Sequence, residues 1–298
     1  MSYRRPTARE LYLSPDMRRT EMEQDRAELE FFRRVRLKNG VAKTTHAARL
    51  DDLNVALLPL LPAARPLELM DVAISSGIST LEWMHSLSGA GVEFRMVAGD
   101  VSLKAYLLSY GRLVEVLLDK NGHPLHIDLF GRGMAGSGES LMLGNLAAGI
   151  HRGLKWLIRG TPIGTMSPAM LISEPASWGR ISSQPLTLVT PRLKDTEELE
   201  LVEDDLLAEN DPRLQGRFHA LRAANILNHA YFDDTTILRI TTNLRARLAA
   251  DGLLIVCRTG QDGANHGTVF RLNPDRSFSV AGRLGNGSEI EALVLGLQ

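Results

Sequence analysis

Asp71, Ala73, Ser75 and Gly77 stand at alternate positions where the apolar run Leu67–Val72 gives way to small residues. A strand that ends in an acid, breaks into a small-residue turn and leads into a helix leaves backbone amides free at the helix start. Together these make a nucleotide-sized pocket. The helix is predicted from about Thr80 to Leu87. A second acid, Asp100, lies 23 positions beyond Gly77, just after the predicted strand Glu93–Ala98. A carboxylate there can accept hydrogen bonds from both hydroxyls of a ribose. Its plainer role is to cap a helix after Val101.

Other reactive side chains read more simply. His85 falls on a predicted helix as a surface or packing residue. His123 and His126 sit in a predicted hairpin with no third metal ligand nearby, so no metal site is expected. Cys257 lies in an apolar run and reads as a buried strand residue rather than a nucleophile. Gly131–Gly138 is glycine-rich but lacks the Gly-Lys-Ser/Thr ending of a phosphate loop, which excludes nucleoside triphosphate binding there.

The elements that must position these residues follow from periodicity and punctuation. Residues 1–18 read as a loose arm. Arg19–Lys38 reads as a helix ended by Asn39-Gly40, and Thr45–Leu61 as a second helix stopped by Pro62. Both read as a packing layer, or alternatively as a lid. Leu113–Leu118 and Pro124–Phe130 flank Asn121-Gly122 and predict a hairpin. Gly131–Gly138 is then a flexible loop, and Leu141–Ile158 a basic amphipathic helix, read as a buried packing helix although such a helix can also touch membranes. Gly160–Gln184 reads as a long loop. Leu186–Leu199 is expected to hold a short element and a helix, and Glu200–Val202 a third strand before Asp204-Asp205. Arg217–Asn228 carries a fourth strand and Thr235–Ala250 an amphipathic helix. Leu253–Cys257 is a strand buried on both faces. Gly267–Leu272 and Ser277–Ala281 form a last antiparallel hairpin, with Ile290–Leu295 extending the last strand or capping the sheet.

Composition sets bounds on what this can be. The chain has 298 residues, 44% of them hydrophobic, and a net charge of −1. That is ordinary for a globular protein and offers no global field for nucleic acid or an anionic surface. One cysteine excludes an intramolecular disulfide. The charged N-terminal sequence lacks a signal-peptide core, and no apolar run approaches the roughly 18–20 residues of a membrane span. A cytoplasmic location is the expectation.

Asp71-x-Ala73-x-Ser75-x-Gly77 resembles the first motif of class I S-adenosylmethionine-dependent methyltransferases, an acid followed by three alternating glycines, with Ala and Ser replacing the first two. Ala224-Asn225-Ile226-Leu227 resembles the Arg-Asn-Val-Leu stretch of chemotaxis-receptor methyltransferases. Asp251-Gly252 stands where the family carries Pro-Gly-Gly. The resemblance covers about residues 65–110 and 185–298. It implies an α/β, Rossmann-like, seven-stranded, mostly parallel sheet with a final antiparallel hairpin. An N-terminal arm and helical cap (1–64) would precede the main domain (65–298), and an inserted subdomain (110–184) would interrupt it. S-adenosylmethionine is the implied cofactor, with Asp71, Ala73, Ser75, Gly77, Asp100, Asp205 (or Asp204, toward adenine) and Asn225 around it. His229 and Tyr231, with Asn225 and Asn228, would orient the methyl acceptor, His229 serving as base. The absence of an Asn-Pro-Pro-Tyr-type motif argues against adenine or glutamine amino groups. A small-molecule acceptor is expected, nucleic acid is disfavoured, and homo-oligomerisation stays open. Two other classes use the same elements: a nicotinamide-dependent oxidoreductase, disfavoured by Ala73 and Ser75, and a non-catalytic binding or regulatory protein.

Overall fold

The computed structural model describes residues 6–14, 19–37, 42–43, 45–135, 141–194, 196–208 and 211–297. In chain order these form α1 (Ala8–Tyr12), α2 (Glu21–Phe32), α3 (Asp51–Leu57), β1 (Leu67–Val72), α4 (Ile78–Gly89) and β2 (Phe94–Asp100). Next come β3 (Lys104–Tyr110), β4 (Val114–Asp119), β5 (Pro124–Leu129), β6 (Arg132–Ala135), α5 (Leu141–Ile158), α6 (Pro162–Thr165) and α7 (Pro168–Leu171). Then follow β7 (Ala176–Trp178), β8 (Ile181–Thr187), β9 (Leu199–Glu203), β10 (Phe218–Ala224) and α8 (Asp234–Arg247). The chain closes with β11 (Leu248–Thr259), β12 (Asn265–Leu272), β13 (Phe278–Leu284) and α9 (Glu291–Leu295).

The chain divides into two compact units, one of residues 47–101 and 193–298, the other of residues 1–46 and 102–192. The expected division at 64 and at 110–184 is corrected on this point. The N-terminal helices α1 and α2 belong with the inserted segment, whose borders lie at Ser102 and Arg192.

The first unit holds a mixed seven-stranded sheet, ordered β13-β12-β11-β10-β1-β2-β9. β9, β2, β1, β10 and β11 are mutually parallel, and β11-β12-β13 continue as an antiparallel meander. The central parallel strands β1, β2 and β10 are buried along most of their length, while β9 at the edge is half-buried. Met70, Val72, Leu221, Ala223, Leu254 and Val256 pack against Ile237, Ile240 and Leu244 of α8 and Val294 of α9. The neighbouring residues Asp71 and Arg222 point the other way, as strand alternation requires. α8 stops at Arg247, three residues short of the expected Ala250, because β11 begins at once and brings Leu248 opposite Phe218.

The second unit is a six-stranded antiparallel sheet, ordered β6-β5-β4-β3-β8-β7. Alternation along β3 splits its core in two. Ala105 and Leu107 join α1 and α2 through Leu11, Phe31 and Phe32. Tyr106 and Leu108 face Leu154 and Ile158 of α5, with Ile163 and Leu171 behind.

Several expectations change here. The arm contains a helix, α1, closed by a capping box of Thr7 and Glu10. The helix expected over Thr45–Leu61 is only α3 and a 3-10 turn, Leu58–Leu60. Arg132–Ala135 pairs with β5 instead of looping, while Gly136–Gly138 and Asn39-Gly40 lie outside the described residues. Gly160–Gln184 is not a loop: it holds α6, α7, β7 and the start of β8. No helix forms over Leu186–Leu199, where β8 runs to Thr187 and a 3-10 turn occupies Pro191–Leu193. Residues 290–295 cap the sheet as a helix, α9.

Candidate functional site

The chain turns to opposite sides of β1 on leaving β1 and β10, so the sheet has a topological switch point between them. Ligands of open α/β sheets bind outside the carboxyl ends of the strands at such a point. The loop after β1, the last residue of β2 and the loop after β10 meet this edge.

The loop after β1 has an alternating backbone. Ala73, Ser75 and Gly77 have φ of +55°, +56° and +76°, and the residues between them do not share this sign. Such alternation curves the main chain into a concavity that turns N–H groups inward. Ile74 N donates to Gly99 O at 3.1 Å and Gly77 N to Ile74 O at 2.8 Å. Ser75 N donates to Asp100 Oδ2 at 2.8 Å. Asp100 is thus at the end of β2 as expected, buried, and already engaged with the loop; no helix follows for it to cap. Gly77 is the N-cap of α4, and no side chain caps that helix. The buried Ser76 hydroxyl has no hydrogen-bond partner among the described residues.

Asp71 has a different occupation. Arg222 Nε donates to its Oδ1 at 3.0 Å and Nη2 to its Oδ2 at 2.6 Å. Thr80 Oγ1 also donates to Oδ2, at 2.8 Å. Arg222 in turn donates to Asn54 Oδ1 and Ser79 O and lies 4.4 Å above the Trp83 ring. The carboxylate therefore ties β1 to β10 and α4, and the guanidinium extends the tie to α3. A buried arginine must be paired, and Asp71, expected beside a cofactor, pairs it.

The acids after β9 part company. Asp204 accepts from Arg247 Nη1 and Nη2 at 2.6 and 2.9 Å, in a second buried pair. Asp205 is exposed and accepts from Leu207 N at 3.0 Å within its own turn. Asn225, at φ +60°, donates its N–H to Cys257 O and accepts from Thr259 N at its Oδ1, which bolts β10 to β11. Asn228 is buried and shapes the loop through Asn225 O, Ile226 O and Ala230 N. His229 and Tyr231 lie on the surface. The His229 Nδ1 is 3.4 Å from Asp234 Oδ1, its N–H donates to Glu289 Oε1, and Tyr231 is 56% exposed beside Phe232.

Glu289 leads to a pocket that the sequence did not reveal. It has a volume of about 500 Å³ and is lined by Arg258, Thr259, Gln261, His266, Asn286 and Glu289, among others. Arg258 Nη1 donates to Glu289 Oε1 at 2.8 Å. His266 Nδ1 accepts from Asn286 N at 3.0 Å, which places the proton of the neutral ring on Nε2. Gly285, at φ +55°, permits this arrangement, since a Cβ there would stand 2.4 Å from His266 Nδ1. Arg49 Nε donates to Thr259 Oγ1 at 3.0 Å, behind the pocket wall. Burial pushes the Cys257 thiol up to about 12, which leaves it protonated and unreactive. The available signal was Arg258-Thr259-Gly260-Gln261, polar residues at the carboxyl end of the most apolar strand.

His123 and His126 are held inside the hairpin by Asp119 and Asp128. Among the described residues no group of three or more His, Cys, Asp or Glu is placed to hold a metal, and no helix is long and apolar enough to cross a membrane.

No protein-family model and no curated protein matches the chain. The local likeness to chemotaxis-receptor methyltransferases accordingly gains no support. Among solved structures, the chain is similar to the CMeT domain of the citrinin polyketide synthase, with TM-score 0.35, 14% identity, and 70% of this chain and 34% of that chain covered. It is similar to the CurJ carbon methyltransferase, with TM-score 0.34, 13% identity, and 71% and 34% covered. The third is the Haemonchus contortus phosphoethanolamine N-methyltransferase 2 in complex with phosphomonomethylethanolamine and S-adenosylhomocysteine, with TM-score 0.31, 9% identity, and 73% and 28% covered. The chain thus spans about a third of the first two. Likenesses of this size decide nothing about chemistry, which the residues themselves must carry.

Proposed function

We propose that this protein is an S-adenosylmethionine-dependent methyltransferase acting on a small molecule. The observation that carries the reading is the loop of Ala73, Ser75 and Gly77, left-handed at alternate residues and met by Asp100 at a topological switch point. The Ser76 hydroxyl and the uncapped start of α4 suit a polar, nucleotide-like ligand. Ala73, Ser75, Gly77 and Asp100 would hold the cofactor, with Asp205 toward the base. Asp71 and Asn225 would hold the frame.

Bound S-adenosylmethionine supplies a methyl carbon on a sulfonium. The chain's own task is to hold an acceptor lone pair in line with that carbon and to exclude water. The pocket of Arg258, His266 and Glu289 would take the acceptor, in place of His229 and Tyr231. The fixed His266 ring offers a donor at Nε2 and no free lone pair, which suits an acceptor with no proton to lose, since a base is needed only when the acceptor holds one.

A second reading is favoured by one observation. Ser75 N–H already meets Asp100, and Ala73 and Ser75 put side chains where glycine would leave space. A loop closed on itself in this way suits a binding protein without turnover.

Calorimetric titration separates the readings. The expected result is binding of S-adenosylhomocysteine that weakens at least tenfold in Asp100→Asn. Binding without methyl transfer to any acceptor in a substrate screen would favour the second reading. Binding of NADH alone would replace both with the nicotinamide reading.

A further inference from the structure

The helix α5 closes one face of the antiparallel unit and leaves its other side open. His151, Leu154 and Ile158 are buried, and Leu154 and Ile158 enter the core. Around the rest of the helix Ala148, Gly149, Arg152, Lys155, Trp156 and Leu157 are exposed, as is Arg159 just past its end. Arg152, Lys155, Trp156 and Arg159 follow the spacing i, i+3, i+4, i+7, which sets them in one stripe along the helix. Trp156 is 72% exposed and Leu157 46%. The sequence contains no Asp or Glu between Glu139 and Glu174. The stripe is therefore cationic with no acid in the surrounding sequence, in a chain whose net charge is −1.

We infer that α5 docks the protein on an anionic lipid bilayer. Three cations in one stripe match a surface of anionic headgroups, each improving partition about fivefold. The Trp156 indole among them matches the boundary between headgroups and acyl chains, where a half-polar aromatic ring is best placed. Ala148 and Gly149 keep the first part of the described face flat, so nothing on it holds the helix away from a plane. A protein partner would need acidic groups around an apolar socket. A bilayer supplies both layers at once. The inference is independent of the cofactor reading, because no residue of the seven-stranded unit enters it.

The test uses the full-length protein and vesicles of pure phosphatidylcholine or of equal phosphatidylcholine and phosphatidylglycerol. Co-sedimentation is expected with the anionic vesicles only, and 0.5 M salt should release the protein. The triple variant R152Q/K155Q/R159Q should lose on the order of a hundredfold in partition, from about fivefold per cation. The variant R112Q/R180Q removes exposed charge elsewhere on the same unit and should bind as the parent does. In a Trp178→Phe background the emission should shift to the blue on binding, and Trp156→Ser should abolish that shift. Unchanged melting of each variant confirms that the fold is intact. Failure to bind anionic vesicles at low salt would overturn the inference. So would equal loss in R112Q/R180Q, equal binding to pure phosphatidylcholine, or self-association that Trp156→Ser relieves.

Discussion

Ala73 and Ser75 hold a backbone conformation that costs an L-residue about 1 kcal/mol or more. Replacing either with glycine should therefore stabilise the protein, by about 1 kcal/mol each, read as a raised urea midpoint at constant slope. A lowered midpoint would mean that the side chains contribute contacts worth more than the strain. Asp71 and Arg222 present the opposite case. Asp71→Asn or Arg222→Met leaves one buried partner unpaired, and each should cost about 3–5 kcal/mol. A stable Asp71→Asn protein that merely loses ligand affinity would restore the acid to the binding site. The sequence marks Asp71 as notable but not why, because its partner stands 151 residues away. The legible sign was the partner itself: an arginine inside Phe218–Ala224, a strand otherwise apolar at its centre, can only be there paired.

The elements were legible where a local rule is strong. β1 matches its predicted limits, the core of β11 follows from a continuous apolar run, and β2, β9 and β10 follow from short apolar-rich stretches with few charges. The β4–β5 hairpin follows from Asn121-Gly122. Between Gly160 and Leu193 no such rule operates. β8 is polar along much of its length and is held by β3, a partner more than 70 residues away, so composition alone reads as loop. α5 was legible as a helix, but its buried histidine was not. Burial pushes the His151 ring down to about 4, with Lys155 and His123 adding to the effect, and its Nε2 has no hydrogen-bond partner among the described residues. The unfolded chain takes up this proton near pH 6.5 and the folded chain only near 4. The contribution is complete above about 6.5 and is lost as pH falls toward 4. Compared with His151→Leu, the wild-type protein should lose on the order of 1–2 kcal/mol more stability between pH 7 and 4, after allowance for solvent screening. Parallel pH curves for the two proteins would contradict this.

At the scale of the molecule, two units with separate sheets and separate buried clusters should unfold separately. Scanning calorimetry should resolve two transitions, and the Trp83 signal should follow the one that belongs to the seven-stranded sheet. A single transition with equal calorimetric and van't Hoff enthalpies would refute this. The sequence signalled the α/β unit because its motifs recur in order along the chain. It concealed the second unit because that unit is assembled from two distant segments, neither of which carries a complete core. Leu11, Phe31 and Phe32 read as a narrow apolar stripe until β3, β4 and β5 are there to receive them.

That assembly has a consequence for the chain as it is made. The N-terminal helices leave the ribosome first, but the strands that cover Phe31 and Phe32 come from residues 104–129, and Leu188 completes the cluster. At 5–20 residues per second, roughly ten to thirty seconds separate the emergence of the two aromatic rings from that of their last partner. Through that interval β1, α4 and β2 also emerge, and they belong to the other unit. The nascent protein must keep one half-built core waiting while it begins another.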